Sequence, residues 1–376
     1  MSGVYFHIPF CKQACHYCNF HFSTSLKYKA ELMEALKKEL SLRTNELPAI
    51  PLSSIYFGGG TPSLLSPEEI GNLISSVRDH FIVNEQAEIT LEMNPDDYYE
   101  GYFEQIKVVG VNRLSVGVQS FIPEELSAMN RAHNAEQALN VLERVQQHFS
   151  NFSLDLIFGV PGSTMESWEK NISTALSFQP SHISSYALTV EPKTVLAKQV
   201  KEQQVQLLPE EMTVQQFDYL LETLTEKGYD HYELSSFAFP GFRSVNNTSY
   251  WQGKPYLGIG PSAHSYYQNQ RSWNLSNNKL YINKLNAGEL PLEREQLTKI
   301  DRYNEFVMTG LRTAEGVALH DIQQKFGDKF AQLFEEQVEK HLMVQHLYWD
   351  GDVVKVTKKA KFLVDGIASD LFLLNL

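Results

Sequence analysis

Through the first two-thirds of the chain, short apolar runs alternate with longer stretches whose apolar residues recur at helical spacing. Residues 4–8, 54–57, 88–93, 113–118, 153–158 and 182–188 read as strands, short and rich in β-branched and aromatic types. Between them, residues 27–43, 98–109, 134–147 and 166–177 read as helices, as does a run from Pro67 with Ser66 as its N-cap. A strand followed each time by a helix predicts a parallel sheet with crossover helices, open or closing into a barrel. Six such units are too few for a complete eight-fold barrel. The expectation is an α/β fold, a partial (β/α)6 barrel with a lateral opening.

Residues 210–227 continue as an amphipathic helix and 230–237 as one further strand. From 238 to 267, glycine, proline, asparagine and aromatics crowd together without period, as in loops that carry function or cap a neighbour. From about residue 290 the chain turns helical, with helices at 321–326 and 329–341. Residues 348–350 and 353–356, split by Gly351-Asp352, read as a hairpin wing. Helix, helix and hairpin predict a smaller, winged-helix-like C-terminal domain. The expected organisation is a barrel over 1–237, a glycine- and aromatic-rich connecting segment over 238–289, and an accessory domain over 290–376.

Composition mainly excludes. With 43% hydrophobic and 12% aromatic residues, the chain buries a large core and is not disordered. A formal net charge of −13 argues against general binding to nucleic acid or anionic lipid, and against DNA readout by the wing. Residues 1–10 read as a strand, without the charged start and apolar run of a signal peptide. Nowhere do ~18 uncharged apolar residues run together, so no spanning segment is expected and any membrane association would be peripheral.

The only cysteines are Cys11, Cys15 and Cys18, spaced C-x3-C-x2-C directly after the first strand. A [4Fe–4S] cluster is normally held by four thiolates. Three, with no fourth downstream, leave one iron open for a small molecule. The alternative is a structural zinc with His7, His16 or His21 as fourth ligand, though zinc sites usually pair two clusters separated in sequence. Three cysteines make no disulfide framework, and an oxygen-labile cluster needs a reducing compartment, so the expected location is the cytoplasm.

The second predicted strand runs into Gly58-Gly59-Gly60-Thr61-Pro62. Glycines at the carboxyl end of a strand let backbone approach a ligand, or simply make a tight turn. Together, C-x3-C-x2-C and this run resemble the radical S-adenosylmethionine (SAM) superfamily. That resemblance implies an open iron chelating the amino and carboxylate groups of SAM, whose amino end the glycine run holds. It also implies that an electron from the reduced cluster splits a sulfur–carbon bond to give a 5′-deoxyadenosyl radical, so an electron donor such as flavodoxin or ferredoxin is expected.

The stretch Tyr5 to Cys11 (YFHIPFC), the GGGTP run, Val116 to Phe121 (VGVQSF), Asp155 to Pro161 (DLIFGVP) and Gly258 to His264 (GIGPSAH) narrow the likeness. In order and over nearly the whole chain, they resemble the oxygen-independent coproporphyrinogen III oxidases and their haem-chaperone relatives. By that similarity Tyr5, Tyr17, Gly59, Gly60, Thr61, Glu92, Gln119, Arg131, Asp155 and Ala187 contact SAM. Taken singly, Glu92, Arg131 or Asp155 is more often a structural ion-pair member, a reading the ordered set reverses, and Gln119 reads equally as a turn residue.

The two relatives divide at residue 20. The dehydrogenases extend the motif to C-x3-C-x2-C-x-C, and here that position is Phe20, which cannot deliver a proton or hydrogen atom as a thiol does. The haem chaperones carry an aromatic there and an H-N-x-x-Y-W signature, which appears here as Asn246-Asn247-Thr248-Ser249-Tyr250-Trp251. With asparagine in place of the leading histidine, the haem candidates are Asn247, Tyr250 and His264, against the reading that these aromatics only pack. The resemblance thus implies a chaperone that binds haem as cargo and passes it to an acceptor haemoprotein such as a cytochrome. The alternative is a coproporphyrinogen dehydrogenase forming protoporphyrinogen IX by radical oxidative decarboxylation. No single catalytic residue is assigned.

Overall fold

Six strands run parallel in chain order: β1 (Gly3–Ile8), β2 (Leu52–Gly59), β3 (Val83–Met93), β4 (Arg113–Gln119), β5 (Phe152–Phe158) and β6 (His182–Ala187). The computed structural model describes residues 2–374. Each crossover is helical, and the helix starts follow local chemistry. Ser66 with Glu69, Asn134 with Gln137 and Thr164 with Ser167 close reciprocal capping boxes ahead of the helices Pro67–His80, Ala135–His148 and Met165–Ser177. Val4, Phe6 and Ile8 of β1 are fully buried, beside Leu32, Leu36 and Leu40 of the helix Lys29–Leu42.

The barrel does not close. β1 takes β9 (Tyr256–Ile259) as its outer neighbour, in parallel, and beyond it β10 (His264–Tyr267), β11 (Gln270–Asn274) and β12 (Leu292–Gln296) follow antiparallel. On the other edge β6 pairs with β8 (Ser236–Ala238), which pairs with β7 (Asp230–Glu233). The result is one twelve-stranded sheet whose six-unit parallel core is a partial (β/α)6 barrel.

Several elements differ from the sequence reading. Residues 230–237 form a hairpin rather than one strand, because the chain turns at Leu234-Ser235 and returns as β8. Residues 238–289 are not a bare connector. They supply β9, β10, β11 and the helices Val245–Trp251 and Asn278–Asn286. Strands of four or five residues are too short to show a period, and β9 bends back sharply. A Cβ on Gly258 would lie 2.0 Å from the His264 carbonyl oxygen. This segment is bolted to the barrel by a buried ion pair. Arg43 binds Glu39 at 2.7 Å and donates to the Gly258 carbonyl at 2.9 Å, while Glu39 accepts from the Gly260 amide at 2.9 Å. The run from 290 opens with β12 before any helix, and the helices Pro123–Ala128 and Val195–Lys201 escaped the periodicity because each is under two turns.

After β12 the chain builds a second core on Tyr303, Val307, Phe334 and Val338. The helices Lys299–Leu311, Leu319–Phe326 and Asp328–Met343 pack with a small sheet of β13 (Val317–Ala318), β14 (Leu347–Asp350) and β15 (Val353–Val356), in the order β13-β15-β14. Helices followed by a wing match the winged-helix-like expectation. No helix among the described residues is long and apolar enough to cross a membrane.

Candidate functional site

All three cysteines lie on the loop after β1, free and half-buried, close enough to influence one another electrostatically. Two clamps shape that loop. At its base Phe10 bridges Ser23, and the Cys11 amide donates to the Ser23 carbonyl at 3.1 Å. At its tip the segment 129–131 grips it. The His16 amide donates to the Met129 carbonyl at 3.1 Å, and Gln13 Nε2 donates to Asn130 Oδ1 at 2.9 Å. Asn130 Nδ2 in turn donates to the Ala14 carbonyl at 2.7 Å.

Arg131 ties the loop to the barrel. Its Nη1 donates to Cys15 Sγ at 3.3 Å and to the Tyr17 hydroxyl at 3.4 Å, and its Nη2 to Asn94 Oδ1 at 2.6 Å and the Gly117 carbonyl at 2.8 Å. Asn94 Nδ2 donates to Thr61 Oγ1 at 3.0 Å, which closes the ring from the end of β3 to the end of β2. Lys12 anchors the same rim through Asp96 and Asp97.

The glycine run has a use beyond the turn expected of it. The Gly60 amide donates to the Ile8 carbonyl at 2.9 Å and the Thr61 amide to the Phe10 carbonyl at 2.6 Å. A Cβ on Gly60 would lie 2.7 Å from the Phe10 carbonyl oxygen, so glycine here lets the cysteine loop sit on the end of β2. Gly59 has φ +108°, and a Cβ there would strike the His7 ring. A Cβ on Gly58 would meet Glu92, Tyr56 and Tyr5.

Those neighbours line the lumen. Glu92 accepts from the Tyr56 hydroxyl at 2.8 Å, and burial lifts its carboxyl to about 7. Tyr5 stacks on Tyr56 with centroids 6.0 Å apart, near Glu92 and Tyr250. Asp155 accepts from Ser115 Oγ at 3.0 Å and Ser153 Oγ at 3.0 Å, and burial raises its carboxyl too. Gln119 ends β4 in the left-handed region at φ +66°, its amide beside Gly117 and the Arg131 network. Ala187 ends β6, half-buried, level with Phe158.

These residues fit the two groups the sequence implies. Three thiols and no further cysteine match a cube with one iron left open, and burial pushes the Cys11 thiol up to about 11, so a cationic centre is needed to hold it as thiolate. A ligand with both ammonium and hydroxyl groups suits a lumen with two burial-raised carboxyls and a buried, unpartnered Arg131 Nε.

Residues 5–175 match the radical SAM superfamily, and residues 297–363 match the HemN C-terminal domain. The heme chaperone HemW of Bacillus subtilis (strain 168) is 33% identical over 368 residues, covering 96% of this chain and 97% of that protein. Its counterpart in Mycobacterium tuberculosis (strain ATCC 25618 / H37Rv) is 31% identical over 375 residues, covering 98% and 94%. The chain belongs to the HemW family of radical SAM proteins. The structure of Escherichia coli coproporphyrinogen III oxidase (HemN), a radical SAM enzyme, superposes with a TM-score of 0.85 at 24% identity, over 99% of this chain and 90% of that one. That likeness carries the fold.

Within this family frame the haem candidates separate. Tyr250 stands on the helix Val245–Trp251 near Glu92 and Tyr5, its ring 4.4 Å from that of Tyr256. The Asn247 amide donates to the hydroxyl of Ser244, the N-cap of that helix, at 3.3 Å. Asn246 is buried, and its amide and that of Val245 donate to Glu88. His264 is exposed at the start of β10 beside Trp273, on the His7 side, and is not among the residues lining the cleft that Tyr250 borders. Sequence reasoning missed Asn94, Tyr56, Gln13 and Asn130. Asn94 had a signal in its place just past Glu92 at a strand end. The Gln13–Asn130 clamp joins residues far apart in the chain and had none.

Proposed function

We propose that this protein binds haem and delivers it to an acceptor haemoprotein such as a cytochrome, in a reducing compartment, the cytoplasm. The observation that carries the reading is end-to-end similarity to proteins named heme chaperone HemW, with Phe20 where the dehydrogenase motif carries its extra cysteine. Phe20 is 66% exposed beside the cysteine loop, so nothing in the fold prevents a thiol there and the aromatic is a difference in chemistry.

In this reading Cys11, Cys15 and Cys18 hold the [4Fe–4S] cluster, with residues 1–237 as the cofactor-bearing barrel and 290–376 as the accessory unit. SAM contacts Tyr5, Tyr17, Gly59, Gly60, Thr61, Glu92, Gln119, Arg131, Asp155 and Ala187. Bound together, the cluster and SAM supply one-electron chemistry, fed by a donor such as flavodoxin or ferredoxin. The protein's own groups position and shield. Arg131 faces the Cys15 sulfur, where a positive charge offsets thiolate. Asn94 fixes the guanidinium, and Tyr56 orients the Glu92 carboxyl. Of the haem candidates, Tyr250 is the one placed between the lumen and a large cleft.

The test is anaerobic incubation of reconstituted protein with SAM, a reductant and coproporphyrinogen. The expected result is no protoporphyrinogen and no carbon dioxide, together with a Soret shift when haem is added. Decarboxylation at a rate that follows the SAM concentration would establish the dehydrogenase instead.

A further inference from the structure

A cleft of about 680 Å³ lies between the helix Val245–Trp251 with its adjoining strands and the C-terminal helices Lys299–Leu311 and Leu319–Phe326. Its volume is that of a site for one sizeable organic ligand. Aromatic side chains from both sides face it: Tyr250, Trp251 and Tyr256 from one, Phe306 and Phe326 from the other. Such walls suit a flat ring system.

Its charge runs against that of the molecule. In a chain of net charge −13, the cleft is lined by five cations and three carboxylates. The carboxylates are all engaged: Arg243 binds Glu315 at 2.7 Å, Lys325 lies 3.7 Å from Asp321, and Arg271 pairs with Glu305. Two cations are left over. Among the described residues neither Lys254 nor Arg302 has a carboxylate within 4.0 Å, and both are half-buried. Two cations without a carboxylate partner (Arg302 donates only to the Thr298 carbonyl, at 3.4 Å) beside aromatic walls suit a planar, apolar ligand with two carboxylates at its edge.

We propose that this cleft seats the tetrapyrrole cargo edge-on, Lys254 and Arg302 each taking one propionate while the aromatic walls cover the ring. The proposal rests on the haem reading given above and adds where the cargo sits and what recognises it. Tyr250 is the wall shared with the barrel lumen, near Glu92 and Tyr5, so a ring in the cleft borders the SAM side of the molecule. The segment between the barrel and the C-terminal unit thus forms one wall of the cargo site, and the HemN-type helices form the other.

The probes are ferric haem and its dimethyl ester, titrated into the anaerobically reconstituted full-length protein. Lys254→Gln and Arg302→Gln are each expected to weaken haem binding about ten-fold while leaving the ester unchanged. The double variant should bind both ligands with the same affinity, and Arg302→Lys should keep most of the haem affinity. Haem binding by the double variant equal to wild type overturns the cleft assignment and leaves the chaperone reading standing. An equal loss for haem and ester overturns the carboxylate role, since it shows a disturbance of shape. Failure of the wild-type protein to bind either ligand overturns the haem reading itself, and the cleft assignment with it.

Discussion

Glu92 illustrates how one carboxyl is prepared for a ligand. It sits at the end of β3 with the Tyr56 hydroxyl as donor, Tyr5 and Tyr250 nearby, Asp155 adding negative charge and Arg113 opposing it. Burial dominates and raises its proton affinity from 4.5 to about 7. In the cofactor-free protein the folded state therefore holds a proton that the unfolded chain has released across that window. The contribution of Glu92 to stability should fall as pH rises from about 4.5 to 7, by roughly 3 kcal/mol, against the opposite slope of the buried neutral His7, His133, His182 and His231. Chemical denaturation of the wild type and of Glu92→Gln across pH 4 to 8 should show that slope as the difference between the two curves. If SAM engages the carboxylate, its affinity runs the other way, rising with pH to a plateau above about 7. A slope unchanged in Glu92→Gln would place the titrating group elsewhere.

Among the elements, the contact between the cysteine loop and the end of β2 is the tightest dependency. Gly60 passes so close to Ile8 and Phe10 that any Cβ must displace backbone, and overpacking of this kind costs ~1–3 kcal/mol. Gly60→Ala should yield a folded protein that holds less than about half of the wild-type iron after reconstitution. Iron and sulfide analysis checks it, and full cluster content would show that the loop is seated by the 129–131 clamp alone. The cysteines, the glycine run and the six strand–helix units were legible in the sequence because their signals are local: fixed spacings, an N-cap at Ser66 and apolar periods. What was not legible is long-range. The Gln13–Asn130 clamp and the Arg43–Glu39 bolt onto Gly258 and Gly260 join distant segments by side chains whose local surroundings look ordinary. Strands β9 and β10 were hidden for another reason, since four residues each leave no period to read.

At the scale of the whole molecule, the partial barrel leaves a lumen, and the segment 238–289 makes the lumen and the cleft neighbours. Its helix Val245–Trp251 is held to the barrel by Glu88, which accepts the Val245 amide at 3.0 Å and faces Arg113 at 3.7 Å, and it turns Tyr250 and Trp251 toward the C-terminal unit. Lumen and cleft thus share Tyr250 as a wall, and under the proposed reading that geometry would couple the state of one to the occupancy of the other. The most direct test of the account is transfer itself. Cluster-loaded protein charged with one haem is mixed anaerobically with an apo-cytochrome, and the two Soret bands are followed in time. The account predicts that the donor band decays as the cytochrome band grows, faster than uptake from free haem. A donor that never takes up haem, or transfer no faster than from free haem in solution, would contradict it.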